Sequence, residues 1–173
     1  QLTNMKYEDF RPTLQLASNI FENKNFLDDG QWNESKFWWN LDIDEYKKTY
    51  LNSKLFKNGG YGILRPSNES WCLLRLPKYT FRPAQSDPLH LDLWINGRNL
   101  LRDSGTYSYN SIGNEFINLS SIKSHNSAQF DNKEPMDRIS RFLWGDWLKE
   151  DKVSKLKIIK NLTLLHSSYK SKV

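Results

Sequence analysis

The chain is expected to fold as a mainly β protein, an antiparallel β-sandwich with a short helical N-terminal segment. Three observations predict this. Leu89, Leu91, Leu93 and Ile95 alternate with His90, Asp92 and Trp94 and run into Asn96-Gly97, the strongest short-range signal for a two-residue hairpin turn. From Gly59 onward, short β-rich runs are separated by turn residues. The first third instead carries apolar residues at helical spacing. At 173 residues, with 38% apolar residues, 14% aromatics and seven Trp, the chain can bury a core without disulfide or metal staples. That composition excludes an intrinsically disordered chain.

In chain order, residues 9–23 place Leu14, Ala17 and Phe21 on one stripe with Leu16 and Ile20 beside it. Asp9 as a cap and Pro12 near the first turn complete the prediction of a helix. A turn-rich link at Asp28-Asp29-Gly30 leads into 34–41 and 42–51, where short helices are expected. Strands are expected at 60–65 and 71–76, separated by the turn composition Pro66-Ser67-Asn68-Glu69-Ser70. The hairpin follows, with Asn99 to Asp103 as its return strand, and further strands are expected at 127–131, 138–143 and 156–165. No internal repeat or low-complexity tract occurs.

The formal net charge of +5 favours an anionic partner: an acidic polysaccharide, nucleic acid or an anionic membrane. A solvated basic face explains Lys149, Lys152, Lys155, Lys157 and Lys160 equally well. The lone Cys72 excludes an intrachain disulfide, fits core packing and leaves the redox compartment open. No apolar run is long enough to span a bilayer, and no basic segment followed by an apolar one opens the chain. Starting at Gln1 and stopping at Ser-Tyr-Lys-Ser-Lys-Val, the chain reads as a piece of a longer protein. No GxGxxG, P-loop, GxSxG or HExxH pattern supports nucleotide binding, a serine hydrolase or a zincin.

Polar chemistry concentrates between Arg82 and Asn126. With Asn96 and Gly97 as the turn, Ile95 faces Arg98, and counting outward pairs His90 with Asp103. Directly paired side chains hydrogen-bond, which would fix the histidine tautomer and raise its basicity, unless a bulge shifts the register. His90, Asp92, Trp94, Asn99, Leu101 and Asp103 then share a face suited to carbohydrate, with an ordinary solvated sheet face as the alternative. Metal binding is the second reading: Asp103 and His125 suit zinc, but three ligands are needed and the residues alone do not supply a convincing third. His166 reads as a surface or strand-edge histidine. The sequons at Asn33, Asn68, Asn118 and Asn161 are the chance matches of an Asn- and Ser-rich chain.

The run RPAQSDPLHLDLWINGRNLLRDSGTYSYN at 82–110, followed by SHN at 124–126, FD at 130–131 and MDRISRFLWGDW at 136–147, resembles the heparinase II/III-like family. The resemblance covers about residues 59–145 and is nearest to bacterial surface-polysaccharide (capsule) proteins. It implies that residues 1–55 are the end of an α/α toroid and 56–173 a β-sandwich truncated at its C-terminus. It also implies a polysaccharide lyase that removes the C5 proton of a uronic acid and eliminates the C4 oxygen. On that resemblance the catalytic residues are His90, Tyr107 and Tyr109, and the substrate-binding residues are Arg82, Asp87, Trp94 and Asn126. A structural zinc falls on Gln85, Asp103 and His125, and a family histidine implicated in catalysis falls on Pro83. The implied partners are an acidic polysaccharide and the missing toroid, with no nucleic acid and no membrane span. The implied location is periplasmic or extracellular, with cytoplasmic second. The isolated chain is expected to be inactive. The alternative is a non-catalytic carbohydrate-binding or surface-polysaccharide assembly module.

Overall fold

The computed structural model describes residues 5–43, 45–46, 51–108 and 119–170. It divides into two units, Gln1–Tyr50 and Leu51–Val173. Among the described residues no helix is long and apolar enough to cross a membrane.

In the first unit, α1 (Arg11–Glu22) starts with Pro12 in its first turn and ends at Asn23, whose φ of 51° closes the helix in the left-handed region. A 3-10 turn (Gln31–Asn33) and α2 (Glu34–Trp38) follow. Beyond it, the described residues of 42–51 form no helix, only a bridge between Asn25 and Tyr46.

The face α1 buries is polar. Pro12, Gln15, Ser18 and Asn19 are buried, whereas Leu14, Ile20 and Phe21 of the apolar stripe are exposed. Gln15 explains the inversion. Its Oε1 accepts from Phe26 N–H and Leu27 N–H, both at 2.9 Å. Its Nε2 donates to Asn25 at 3.0 Å and Asn33 at 2.7 Å. Asn19 adds a bond to Asn25, which donates in turn to the Ile43 carbonyl. An amide network centred on Gln15 thus replaces apolar packing at this helix.

The second unit is β, as expected. Strands β1 (Lys54–Phe56), β2 (Tyr61–Leu64), β3 (Trp71–Arg75), β4 (Leu91–Ile95) and β5 (Arg98–Leu101) form one antiparallel sheet in sequence order. β1 has no counterpart in the sequence prediction. Asn96 and Gly97 have φ of 50° and 72°, the pair of positive values that a type I′ turn needs.

Three other expectations are corrected. Residues 127–131 form no strand, because Asp131 and Asn132 turn left-handed, with φ of 50° and 54°. The expected strand 138–143 breaks into a short hairpin, β6 (Arg138–Ser140) and β7 (Leu143–Trp144). The expected strand 156–165 is a longer hairpin, β8 (Glu150–Ile159) and β9 (Leu162–Tyr169), reversed at Lys160 and Asn161.

β9 lies across β2 as a second layer: a Cβ on Gly62 would fall 2.5 Å from a Leu165 methyl. Met136, Trp144 and Leu148 form a buried cluster with Tyr79 and Tyr169 packed against it. Trp144 also donates its indole N–H to the Ala84 carbonyl, tying the 82–87 loop to that core.

Candidate metal centre

Three segments of the second unit bring His90, Asp103 and His125 together. His90 ends the lead-in to β4, where the left-handed Leu89 (φ 59°) turns the chain. There Arg75 N–H donates to the His90 carbonyl and Leu89 N–H to the Arg75 carbonyl. Asp103 follows β5. Its Oδ1 accepts from Gly105 N–H at 2.6 Å, which leaves Oδ2 directed at the imidazoles.

His125 caps a 3-10 turn (Ile122–Ser124) whose first N–H groups are held by Ser121 and the Glu134 carboxylate. Ser104 Oγ donates to the Ser124 carbonyl at 2.7 Å, joining this turn to the Asp103 segment.

Asp103 Oδ2 lies 2.8 Å from His125 Nδ1 and 3.7 Å from His90 Nε2. The two rings meet edge to face at 5.4 Å. Asn126 locks the arrangement. Its backbone N–H donates to His90 Nδ1 at 3.0 Å, and its amide nitrogen donates to the Leu91 and Arg102 carbonyls at 3.1 Å. With Nδ1 accepting, the neutral His90 ring carries its proton on Nε2, toward Asp103. Burial lowers the His90 pKa from its ordinary value, and the attraction of Asp103 opposes that shift without reversing it.

Asp103 and His90 meet by a different route from the predicted pairing. Trp94 pairs with Asn99 but Leu93 pairs with Leu101, so Leu100 is an extra residue and the register slips by one beyond it. His90 therefore does not sit opposite Asp103 in a ladder. It reaches the carboxylate from the bend before β4.

One ligand atom from each of the three residues fits within 4.8 Å of the others. Two imidazoles and a carboxylate form the donor set of a zinc site with an open fourth position. His125 Nε2 is buried without a hydrogen-bond partner among the described residues, so the ring keeps unused binding capacity. The residues present therefore fit a metal, held by His90, Asp103 and His125.

Gln85 is not a member of this centre. It lines a separate cleft with Tyr61, Arg75, Tyr79, Pro83, Ala84, Asp87, Thr106 and Phe142, because the 82–87 loop is pinned by Ser86 N–H to the Ser120 carbonyl and by Trp144 to Ala84. His90 is the third member of the cluster.

The other predicted residues are dispersed. Tyr107 is 77% exposed with φ of 62°, and Tyr109 lies outside the described residues, as does Asn118. Arg82 is exposed on its loop. Trp94 stacks on Trp71 at 5.6 Å, and the Arg65 guanidinium lies over the Trp71 ring at 5.2 Å. Asp87 accepts from the Tyr79 hydroxyl at 3.0 Å and pairs with Arg75 at 3.5 Å. Sequence reasoning missed Arg75, Tyr79 and Glu134, which lie in ordinary strand or loop contexts without a local signal. His90 was visible in the sequence, and the structure places it beside Asp103 and His125.

A family model described as heparinase II/III-like, C-terminal, matches residues 49–172. Among solved structures, a heparinase III with methylated lysines is similar, with a TM-score of 0.53 and 22% identity. The match covers 78% of this chain and 20% of that one, so the chain spans about a fifth of that structure's length. No curated protein matches the chain.

Proposed function

Because this chain belongs to the heparinase II/III-like family through its C-terminal domain, we propose that it is the sandwich part of a polysaccharide lyase. The reaction proposed for the parent is β-elimination on a uronic-acid-containing polymer. The observation that carries this reading is the His90, Asp103, His125 cluster within the matched residues. Its role is to hold the site together. A metal bound there would clamp the bend before β4, the exit from β5 and the 3-10 turn into one rigid loop cluster.

Elimination needs a base within reach of the C5 proton and donors for the charge that builds on the carboxylate. His90 is buried, with one ring nitrogen bonded to Asn126 and the other facing Asp103. It is reassigned here from base to ligand. Tyr107, four residues past the ligand Asp103 and exposed, is the residue in the described part of the site proposed to take the proton, with Tyr109 beside it in sequence. Arg82 is proposed to attract the acidic polymer, whereas Asn126 spends its amide on the scaffold.

In this reading residues 1–55 are the end of a toroid and 56–173 the sandwich, and the 173 residues alone do not turn over polymer. The parent acts in the periplasm or outside the cell. Incubating the full-length parent with a panel of uronate polymers tests it. Unsaturated uronides, seen by their ultraviolet absorbance, are the expected product, and their absence from every polymer would overturn the lyase reading.

Pro83 and Gln85 favour a second reading, because they stand where the resemblance places histidines. A non-catalytic glycan-binding or assembly module would retain polymer binding and yield no product, and restoring histidine at both positions, Pro83→His with Gln85→His, would not bring turnover.

A further inference from the structure

Beside the metal centre, and sharing none of its ligands, lies the cleft lined by Arg75, Gln85, Asp87 and Thr106, with a volume of about 320 Å³. That is the lower end of the range for small-molecule sites and suits one sugar ring better than an extended chain. Arg75 is its organising group. The guanidinium lies between the rings of Tyr61 and Tyr79, at 4.8 and 5.1 Å. Its Nη1 donates to the Gly60 carbonyl at 2.9 Å, and its Nε faces Asp87. Gly60 is favoured there by its φ of +71°, which strains any residue with a Cβ. The Nη2 edge has no hydrogen-bond partner among the described residues.

The acceptor side is equally fixed. Asp87 takes the Tyr79 hydroxyl, whose own pKa is pushed far above its usual range, first by burial and then by the adjacent Asp87 charge. Tyr79 therefore stays a donor and holds Asp87 beside Arg75. The cleft thus offers a donor edge on Arg75, a carboxylate on Asp87, an amide on Gln85 that both donates and accepts, and the Thr106 hydroxyl. Pro83 and Phe142 add apolar wall. Sugar hydroxyls both donate and accept, which matches such a mixed set. A carboxylate only accepts, and at Arg75 it would sit next to the negative charge of Asp87.

We propose that this cleft is a subsite for an uncharged pyranose ring of the polymer and excludes the uronate. The inference rests on the polysaccharide reading above for the identity of the polymer. Its chemistry comes from the Arg75 and Asp87 pair.

The test titrates the isotope-labelled 173-residue chain with D-glucose, D-glucuronate and acetate, followed by NMR. Saturable shifts at Ala84, Gln85 and Thr106 with glucose are expected. Binding of glucuronate should be about fivefold weaker, because Asp87 already pairs with Arg75 and an added carboxylate would give up its water without meeting an unpaired cation. Acetate should not shift these resonances. Asp87→Asn, which keeps an acceptor for Tyr79, should bring glucuronate to within about twofold of glucose. Gln85→Ala, with an unchanged melting temperature as the folding control, should weaken glucose about fivefold for the lost hydrogen bond. Glucuronate binding as tightly as glucose, shifts with acetate alone, or shifts confined to other surfaces would overturn the proposal. A chain that binds glucose here while its parent forms no unsaturated product keeps the subsite and loses the lyase reading. A working lyase without glucose shifts in the cleft does the reverse.

Discussion

Asn126 donates its backbone N–H to His90 Nδ1 at 3.0 Å, while its side-chain amide bridges the carbonyls of Leu91 and Arg102. A single residue thus follows one member of the cluster, orients the second, and fixes the segment that carries the third. Asn126→Ala keeps the N–H to His90 but frees both carbonyls, so Asp103 loses its anchor. The expected result is a loss of about 1–3 kcal/mol in stability. Zinc affinity should fall about 10- to 100-fold, as supporting partners of metal ligands typically show. Competition against a chelator at neutral pH measures the second effect.

Asp103 accepts from the Gly105 backbone N–H and lies 2.8 Å from His125 Nδ1. Elemental analysis of the purified chain should find about one zinc per molecule, and Asp103→Ala should abolish it. Equal metal content in both proteins would remove the metal centre from the site. Gln85→Ala should leave zinc content unchanged, since Gln85 lies in the neighbouring cleft.

Acid should loosen the metal-free chain through His90. Its folded pKa is lowered from the ordinary 6.5, mainly by burial. The unfolded state therefore binds the proton more readily, and stability rises with pH through this window. The contribution is present above about pH 6.5 and disappears as the pH falls through the lowered folded value. Chelator-treated protein should show a melting temperature that drops on acidification below pH 6.5. The drop should be smaller in His90→Gln. An equal drop in both would place the titrating group elsewhere.

The hairpin that carries most of the site was legible because Asn96-Gly97 and the Leu alternation are local signals. The bulge at Leu100 was not, since nothing in Asn99-Leu100-Leu101 distinguishes the looped-out residue, and one extra residue undoes a pairing argument. The closeness of Asp103 and His125 was expected from residue type, and the structure brings the two together. The burial of the His90 ring was not legible, because the left-handed turn at Leu89 that places it is invisible in a leucine. The paired strands β8 and β9 read as one, because Lys160-Asn161 lacks the glycine that usually marks a reversal. In α1, the apolar stripe pointed to the wrong face. A glutamine at the centre of four hydrogen-bonding partners outweighs leucine burial, and periodicity alone does not register amide networks.

Gly62 tests the layering of the sandwich. A Cβ there would fall 2.5 and 2.9 Å from the two methyls of Leu165, and β2 pairs on both edges, with β1 and β3, so it has little freedom to retreat. Gly62→Ala should cost about 1–3 kcal/mol by overpacking, with Leu165→Ala restoring part of the loss in the double variant. Additive losses would show that β9 does not bear on Gly62.

Gln15 gives the converse test in the first unit, where polar contacts replace a core. Gln15→Leu has nearly the same volume and raises the apolar content of α1, so an apolar interface would gain from it. Here it removes the acceptor of Phe26 N–H and Leu27 N–H and the donor to Asn25 and Asn33. Leaving buried polar groups unsatisfied costs about 1–3 kcal/mol each. Hydrogen exchange should accelerate at Phe26 and Leu27 by roughly 10-fold or more, while the β-sheet amides of Leu73 and Leu93, in the other unit, keep their protection. Unchanged exchange at Phe26 and Leu27 would mean that the amide network does not hold this unit together.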